Sequence, residues 1–166
     1  MFEKQAWMQR AGEYPQSDQE YFALLARAVF SAGLGPKVVE SRWKEMGAAF
    51  HGFDPALVEQ MDEADVARLL GDPAVIRNRR KIEAVICNAQ TFREQLTEYA
   101  SFHDYLTGLG AGMDLEAAAG SLAETFTHLG RTSALFFLFS AGWRPQEVGP
   151  QGAGPQEAEL QMAAEV

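Results

Sequence analysis

The strongest constraint on this chain is a Gly/Pro turn at residues 71–75 that runs directly into a cluster of cations. Apolar residues recur with helical spacing in DEADVARLL before the turn and in KIEAVICNAQTF after it, which predicts two helices joined by a tight turn. Backbone N–H groups of such a turn can face a phosphate of DNA, and neighbouring cations add attraction. We therefore expect these residues to contact DNA: Gly71, Asp72, Pro73, Ala74, Val75, Arg77, Arg79, Arg80 and Lys81.

The net charge of -9 argues against a protein that coats nucleic acid without specificity. Affinity for a polyanion comes mostly from Lys and Arg, which are outnumbered here. Binding of DNA would therefore depend on the local basic cluster after the turn. The alternative interpretation of that cluster is a solvated helix face, which is what most runs of charge are.

Length and composition predict one compact domain over residues 1–145. A chain of 166 residues with 47% hydrophobic content can bury a core without disulfides or metal. The single cysteine, Cys87, excludes an internal disulfide, and the apolar run IEAVICNA around it predicts a buried thiol. Residues 146–166 are rich in Gly, Pro, Gln, Ala and Glu, which predicts a flexible acidic tail.

The sequence predicts neither a secretory leader nor a membrane segment. The N-terminal segment MFEKQAWMQRAGEY lacks the continuous apolar stretch of a signal peptide, and no apolar run approaches the ~20 residues of a membrane span. We therefore expect a cytoplasmic protein without membrane contact, and we take it to be a monomer.

The apolar period is helical nearly throughout, and no segment shows the sustained alternation of a half-buried strand, so we predict an all-α fold. The first helix should begin at Ser17 or Asp18 and end before Gly33. A second helix is predicted over residues 36–50. Further helices are expected from FDPALVEQMD capped by Asp54, DEADVARLL capped by Asp62, KIEAVICNAQTF, FHDYLTGLG, SLAETFTHLG and TSALFFLFSAG.

Four segments together resemble one known family. They are AGL at residues 32–34, AFHGFDP at 49–55, DEADVARLLGDPAVIRNRRKIEAVICNA at 62–89 and SLAETFTHLGRTSALFFLFSAG at 121–142. Their content and order are similar to those of the DNA-3-methyladenine glycosylase I family, a branch of the helix-hairpin-helix DNA glycosylase superfamily. The resemblance implies an all-α helix-hairpin-helix domain that flips an alkylated purine out of double-stranded DNA and hydrolyses its bond to the sugar in base excision repair.

The chain departs from that family where the damaged base binds. Ala28 stands where the family has a Glu that hydrogen-bonds the base, and Pro36 stands where it has a stacking Trp. Phe30 and Ser31 replace Gln residues, so the implied pocket is more apolar and has no evident catalytic acid. The candidate pocket residues are Ala28, Phe30, Ser31 and Pro36, with Trp7 and Tyr14 from the N-terminal segment as further stacking surfaces.

Other roles implied by the resemblance are less well matched by the residues. The family binds zinc through Cys and His of both termini, which this chain lacks, so we predict no metal and no cofactor. For each aromatic pocket candidate, packing in the core is the alternative interpretation. Val75 at the turn and Leu34 after the first helix are apolar candidates for insertion between bases.

Two further functions stay open at this stage. The absence of an acid at Ala28 is compatible with a catalytically silent protein that binds bent or damaged DNA. The negative net charge and the acidic tail are compatible with a helical interaction module without affinity for DNA. Release of a base separates a glycosylase from the silent binder, and DNA binding at low salt separates both from the interaction module.

Overall fold

A computed structural model of the protein describes residues 2–145. Within this range the chain forms nine α-helices, one 3-10 helix and no strand, which confirms the predicted all-α fold. The helices are α1 Asp18–Ser31, α2 Pro36–Glu40, α3 Trp43–Ala49, α4 Pro55–Val58, α5 Glu63–Leu70, α6 Arg79–Glu98, α7 Phe102–Gly110, α8 Leu115–Thr125 and α9 Arg131–Ser140, with the 3-10 helix His51–Phe53 between α3 and α4.

The predicted tail at residues 146–166 lies outside the described residues, and the domain boundary at residue 145 stays a prediction. None of the helices in residues 2–145 combines the length and the apolar character that crossing a membrane would need.

Side-chain caps fix the helix starts that the sequence predicts. The hydroxyl of Ser17 accepts a hydrogen bond from the backbone N–H of Glu20 at 3.1 Å, which begins α1. Asp54 begins α4 in the same way, and Asp62 begins α5 as half of a capping box with Asp65. Each cap satisfies backbone donors that a helix start leaves unpaired, so these boundaries follow from local chemistry.

Two predicted helices differ in extent from the observed ones. The predicted helix over residues 36–50 is broken into α2 and α3 at Ser41 and Arg42, although neither residue is a helix breaker. The helix predicted from SLAETFTHLG begins earlier, at Leu115, because the carboxylate of Asp114 caps it through the N–H of Ala117 at 2.8 Å.

α1 lies at the centre of the fold and packs against α6, α7 and α9. Aromatic side chains form the contacts between these helices: the ring of Phe22 meets that of Phe92 at 5.3 Å, and Phe92 stacks on Phe102 at 4.1 Å. Phe137 of α9 closes the cluster against Phe102. The core is therefore built around α1. Packing against the other helices fixes the position of the C-terminal end of α1.

The prediction that Cys87 is buried is wrong, because its side chain is exposed. Within α6 the buried positions Ala84, Val85 and Ala89 face the core. Cys87 follows the exposed Glu83 by four positions, which puts it on the solvent face of the same helix.

The N-terminal arm, residues 2–16, is joined by its backbone to the C-terminal end of α9. The N–H of Gln9 donates to the carbonyl of Ser140 at 2.9 Å, and the N–H of Gly12 donates to the carbonyl of Gly142 at 2.8 Å. The arm therefore crosses the molecule beside α9 before it reaches the start of α1.

Candidate functional site

A cavity of about 380 Å³ lies at the C-terminal end of α1. Its walls come from the N-terminal arm (Phe2, Glu3, Gln5, Met8), α1 and the loop after it (Ala28, Ser31, Ala32, Gly33, Gly35), α2 (Pro36, Lys37) and α9 (Thr132, Ser133, Phe136). Aromatic, aliphatic and small side chains make up most of this wall. Both the volume and the lining are typical of a pocket for a small organic molecule such as a single base.

Three of the predicted pocket residues, Ala28, Ser31 and Pro36, line this cavity. Ala28 and Ser31 are three positions apart on α1 and so share one face of the helix. The hydroxyl of Ser31 donates to the carbonyl of Arg27 at 2.7 Å, which leaves its oxygen free to accept a hydrogen bond from a molecule in the cavity. That these residues bind a base stays a prediction.

Phe30 does not line the cavity, and the structure corrects its predicted role. It follows Ala28 by two positions, which turns it about 200° around the helix axis. Its ring is 0% exposed and meets the edge of Phe50 at 5.7 Å between centroids. Phe30 is therefore a core residue.

Tyr14 and Trp7 also lie outside the cavity wall. Tyr14 precedes α1, whose 14 residues separate it from the cavity by roughly 20 Å. Its ring instead meets the edge of His103, whose Nδ1 is hydrogen-bonded to the hydroxyl of Tyr21 at 2.7 Å. Trp7 lies closer, with its ring 6.0 Å from that of the wall residue Phe136.

Trp7 takes part in a stack of rings that the sequence did not predict. The guanidinium of Arg27, only 4% exposed, lies 3.5 Å from the ring centre of Trp7 and 5.1 Å from that of Trp43. Burial lowers the pKa of Arg27 to about 10, and the charge of Glu40 acts in the opposite direction, so the guanidinium stays charged at neutral pH. This stack fixes the arm against α1 and α3 beside the cavity.

The predicted hairpin forms between α5 and α6, and its turn is closed by its own residues. The N–H of Ala74 donates to the carboxylate of Asp72 at 2.9 Å, and the N–H of Val75 donates to the carbonyl of Asp72 at 3.2 Å. The side chain of Val75 is 0% exposed, so it belongs to the core and is not available to enter DNA. Arg42 stabilises the turn from α3's side of the chain, since its guanidinium, just before α3, donates to the carbonyl of Pro73 at 3.1 Å.

Unpaired backbone donors lie just after the turn, at the N-terminus of α6. Among the described residues, the N–H groups of Ile76, Arg77, Arg79 and Arg80 have no hydrogen-bond acceptor. The next N–H, that of Lys81, is capped by Asn78 at 3.2 Å. The helix dipole favours an anion at this point, so the hairpin presents a cluster of donors suited to a phosphate.

The four cations of the hairpin have three different environments. Arg77 and Arg80 are exposed, and within residues 2–145 neither forms an ion pair. Arg79 is paired with Glu63 at 2.8 Å and with Glu83 at 3.0 Å, which neutralises part of its charge. Two of the predicted cations are therefore free to meet a phosphate as the structure stands.

Lys81 points inward, and the structure corrects the prediction that it lies near phosphates. The side chain is 5% exposed, and its ammonium donates to the carbonyl of Phe30 at 2.9 Å and to the carbonyl of Ala32. Burial lowers the pKa of this ammonium below its usual range. Lys81 thus ties the start of α6 to the end of α1, so that the hairpin and the cavity wall are adjacent.

The polar residues that complete the cavity wall were not predicted from the sequence. They are Glu3 and Gln5 of the arm, Lys37 of α2, and Thr132 and Ser133 of α9. None belongs to a recognisable motif, and only the folded chain brings the arm and α9 to the end of α1. Groups of three or more His, Cys, Asp or Glu suited to a metal do not occur in residues 2–145, and the absence of a metal stays a prediction.

Comparison with known proteins relates this arrangement to one family. The profile of the Methyladenine glycosylase family matches residues 4–136. DNA-3-methyladenine glycosylase 1 of Escherichia coli (strain K12) is 31% identical over 122 residues, which are 73% of this chain and 65% of that protein. DNA-3-methyladenine glycosylase of Haemophilus influenzae is 28% identical over 93 residues, covering 55% of this chain and 50% of the relative. The chain thus spans less than two thirds of the length of these curated relatives.

Solved structures agree with this relationship. A crystal structure of 3-methyladenine DNA glycosylase I superposes with a TM-score of 0.71 at 26% identity, covering 80% of this chain and 83% of that one. A structure of 3-methyladenine DNA glycosylase I from Staphylococcus aureus gives a TM-score of 0.72 at 27% identity, covering 82% of both chains. The fold is that of the helical DNA glycosylases. The chain belongs to the methyladenine glycosylase family.

Proposed function

We propose that this protein is a DNA repair glycosylase that flips an alkylated purine, such as 3-methyladenine, out of double-stranded DNA and hydrolyses its bond to the sugar. The observation that supports this most is the position of the apolar cavity, which is tied through Lys81 to a hairpin with free backbone donors and two free cations. The names of the relatives supply the class of base.

The hairpin would hold one DNA strand by its phosphates. The unpaired N–H groups at the start of α6 would receive a phosphate oxygen, and Arg77 and Arg80 would add the local positive charge that the acidic chain otherwise lacks. These contacts fix the position of the duplex relative to the cavity and carry no sequence information.

Leu34 is the residue that we propose to fill the gap left by the flipped base. It lies in the loop after α1, between Gly33 and Gly35, and its side chain is 42% exposed. Both glycines have positive φ, which holds this loop away from a regular helix. Gly33 and Gly35 both line the cavity, so Leu34 lies beside it. An apolar side chain there can insert between base steps and offset part of the cost of unstacking.

In the cavity, cleavage would depend mainly on positioning of the base and on removal of bulk solvent from around it. One water molecule would attack the sugar carbon as the base leaves and would lose its proton to solvent. An N-alkylated purine in DNA carries positive charge and leaves as a neutral base, so it needs less acid catalysis than a normal base. Holding it in a largely apolar wall with its sugar in a reactive geometry supplies rate through orientation. Ala28 contributes space and no acid to this wall.

Release of free base from alkylated duplex DNA tests this function. The native chain and the Arg77→Ala/Arg80→Ala variant are each incubated with methylated duplex, and free bases are separated by chromatography. We expect the native chain to release an alkylpurine and the variant to release it more slowly. Tight binding of the methylated duplex without release would indicate the silent binder, and no binding at low salt would indicate the interaction module.

The same proposal includes the compartment in which the protein acts and its oligomeric state. We propose a monomer acting in the cytoplasm, where the single, exposed Cys87 stays reduced. Sedimentation of the chain with and without a short duplex measures the stoichiometry, and a two-to-one complex of protein with DNA would contradict the monomer.

A further inference from the structure

One acidic residue is present among the described residues that line the cavity. Glu3 of the N-terminal arm lines the cavity, whereas α1 contributes the methyl group of Ala28 and the hydroxyl of Ser31. Glu3 is exposed, so this acidic residue lies at the outer edge of the cavity.

The neighbours of Glu3 in sequence fix it at this position. The ring of Phe2 packs against Phe136 at 5.4 Å and against Phe139 at 5.8 Å. The ammonium of Lys4 donates to the carbonyl of Phe139 at 3.0 Å and lies 4.3 Å from the centre of its ring. Because both flanking residues are attached to α9, the backbone of Glu3 is held at the edge of the cavity.

The charge of Glu3 is not neutralised by a partner within residues 2–145. Its carboxylate forms no ion pair there, and Lys4 is directed to α9. Lys37 lines the same cavity from α2. Both residues are exposed, so the cavity has a negative edge on the arm and a positive edge on α2, with solvent screening the field between them.

We propose that Glu3 is the specificity-determining residue that selects cationic bases in this cavity, a proposal that rests on the proposed function. The carboxylate would accept a hydrogen bond from the exocyclic amino group of an N-alkylated purine and offset its positive charge, with the base lying nearer to Glu3 than to Lys37. A neutral purine of the same shape gains no such charge interaction and binds less tightly.

Binding of two small probes to the full chain tests this role without requiring turnover. The 3,9-dimethyladeninium cation imitates an alkylated nucleoside with a methyl group in place of the sugar, and 9-methyladenine is its neutral counterpart. Calorimetric titration is carried out with the native chain, with Glu3→Gln, and with Glu13→Gln as the matched control. Glu13 is an exposed acid of the same arm that does not line the cavity.

We expect the native chain and Glu13→Gln to prefer the cation by about two- to fivefold, the size expected of an interaction with an exposed charge. Glu3→Gln should bind the two probes equally. Absence of the preference in the native chain, or its persistence in Glu3→Gln, would overturn the proposal. A preference that depends on Glu3 in a chain that releases no base from DNA would support the role of Glu3 and reject the glycosylase.

Discussion

At the scale of single residues, Gly142 shows how closely the arm meets the end of α9. Its φ is +72°, and a Cβ added there would overlap the carbonyl oxygens of Arg10 and Glu13. We predict that Gly142→Ala lowers the free energy of unfolding by about 2 kcal/mol or more, since both the backbone conformation and the contact become strained. Urea denaturation measures the change.

Gly120 provides the control for this substitution. It lies inside α8, and an added Cβ would meet nothing within 4 Å. Gly120→Ala should therefore stabilise the protein by about 0.5–1 kcal/mol through helix propensity. If the two substitutions changed the free energy of unfolding equally, the close contact between Gly142 and the arm would not contribute to stability as we expect.

The second prediction for a single residue concerns Lys81, because its charge faces inward. Lys81→Met leaves the carbonyls of Phe30 and Ala32 without their donor, so we expect a loss of about 1–3 kcal/mol in the free energy of unfolding. The salt dependence of DNA binding should not change. A flatter salt dependence in Lys81→Met would mean that the ammonium leaves the interior to meet a phosphate.

At the scale of structural elements, the hairpin and the start of α6 are expected to form the DNA contact. Arg77→Ala/Arg80→Ala should weaken binding and reduce the slope of log K against log salt by about 2, since each phosphate contact contributes about 0.9. Fluorescence anisotropy of a labelled duplex, titrated at several salt concentrations, measures this slope.

The control for the hairpin variant removes two positive charges from other parts of the protein. Arg10→Ala/Arg144→Ala removes one exposed cation from the arm and one from the segment after α9, and neither residue forms an ion pair within residues 2–145. We expect a slope close to that of the native chain. If both pairs flatten the slope equally, the effect reflects net charge and not contacts of the hairpin.

Elements were predictable from the sequence where their signals are local. Ser17, Asp54 and Asp62 indicate helix starts, because the capping hydrogen bond joins a side chain to a backbone N–H within four residues. The break at Ser41 and Arg42 has no such signal. The hairpin was likewise predictable from its turn residues and from the helical periods on both sides.

The candidate site was only partly predictable, because most of it is assembled by long-range contacts. Ala28, Ser31 and Pro36 line the cavity as the family resemblance implied. The inward direction of Lys81 depends on carbonyls some fifty positions away, and the place of Glu3 depends on packing of the arm against α9. Neither leaves a periodic or motif signal in the sequence.

At the scale of the whole molecule, the fold joins two surfaces that the proposed reaction needs together. α1 runs through the core and ends at the cavity, and Lys81 connects that end to the helix that follows the hairpin. A duplex held at the hairpin would therefore have a fixed position relative to the cavity. A glycosylase and a silent binder that holds a flipped base would both use this arrangement, so release of the base is the observation that separates them.

The most direct test of this account is the time course of base release from a duplex containing 3-methyladenine, with the protein in excess so that binding is complete. We predict that free 3-methyladenine accumulates in a single phase while unmodified bases stay in the DNA. A duplex that is fully bound, by anisotropy in the same mixture, and still keeps its alkylated base would contradict the account.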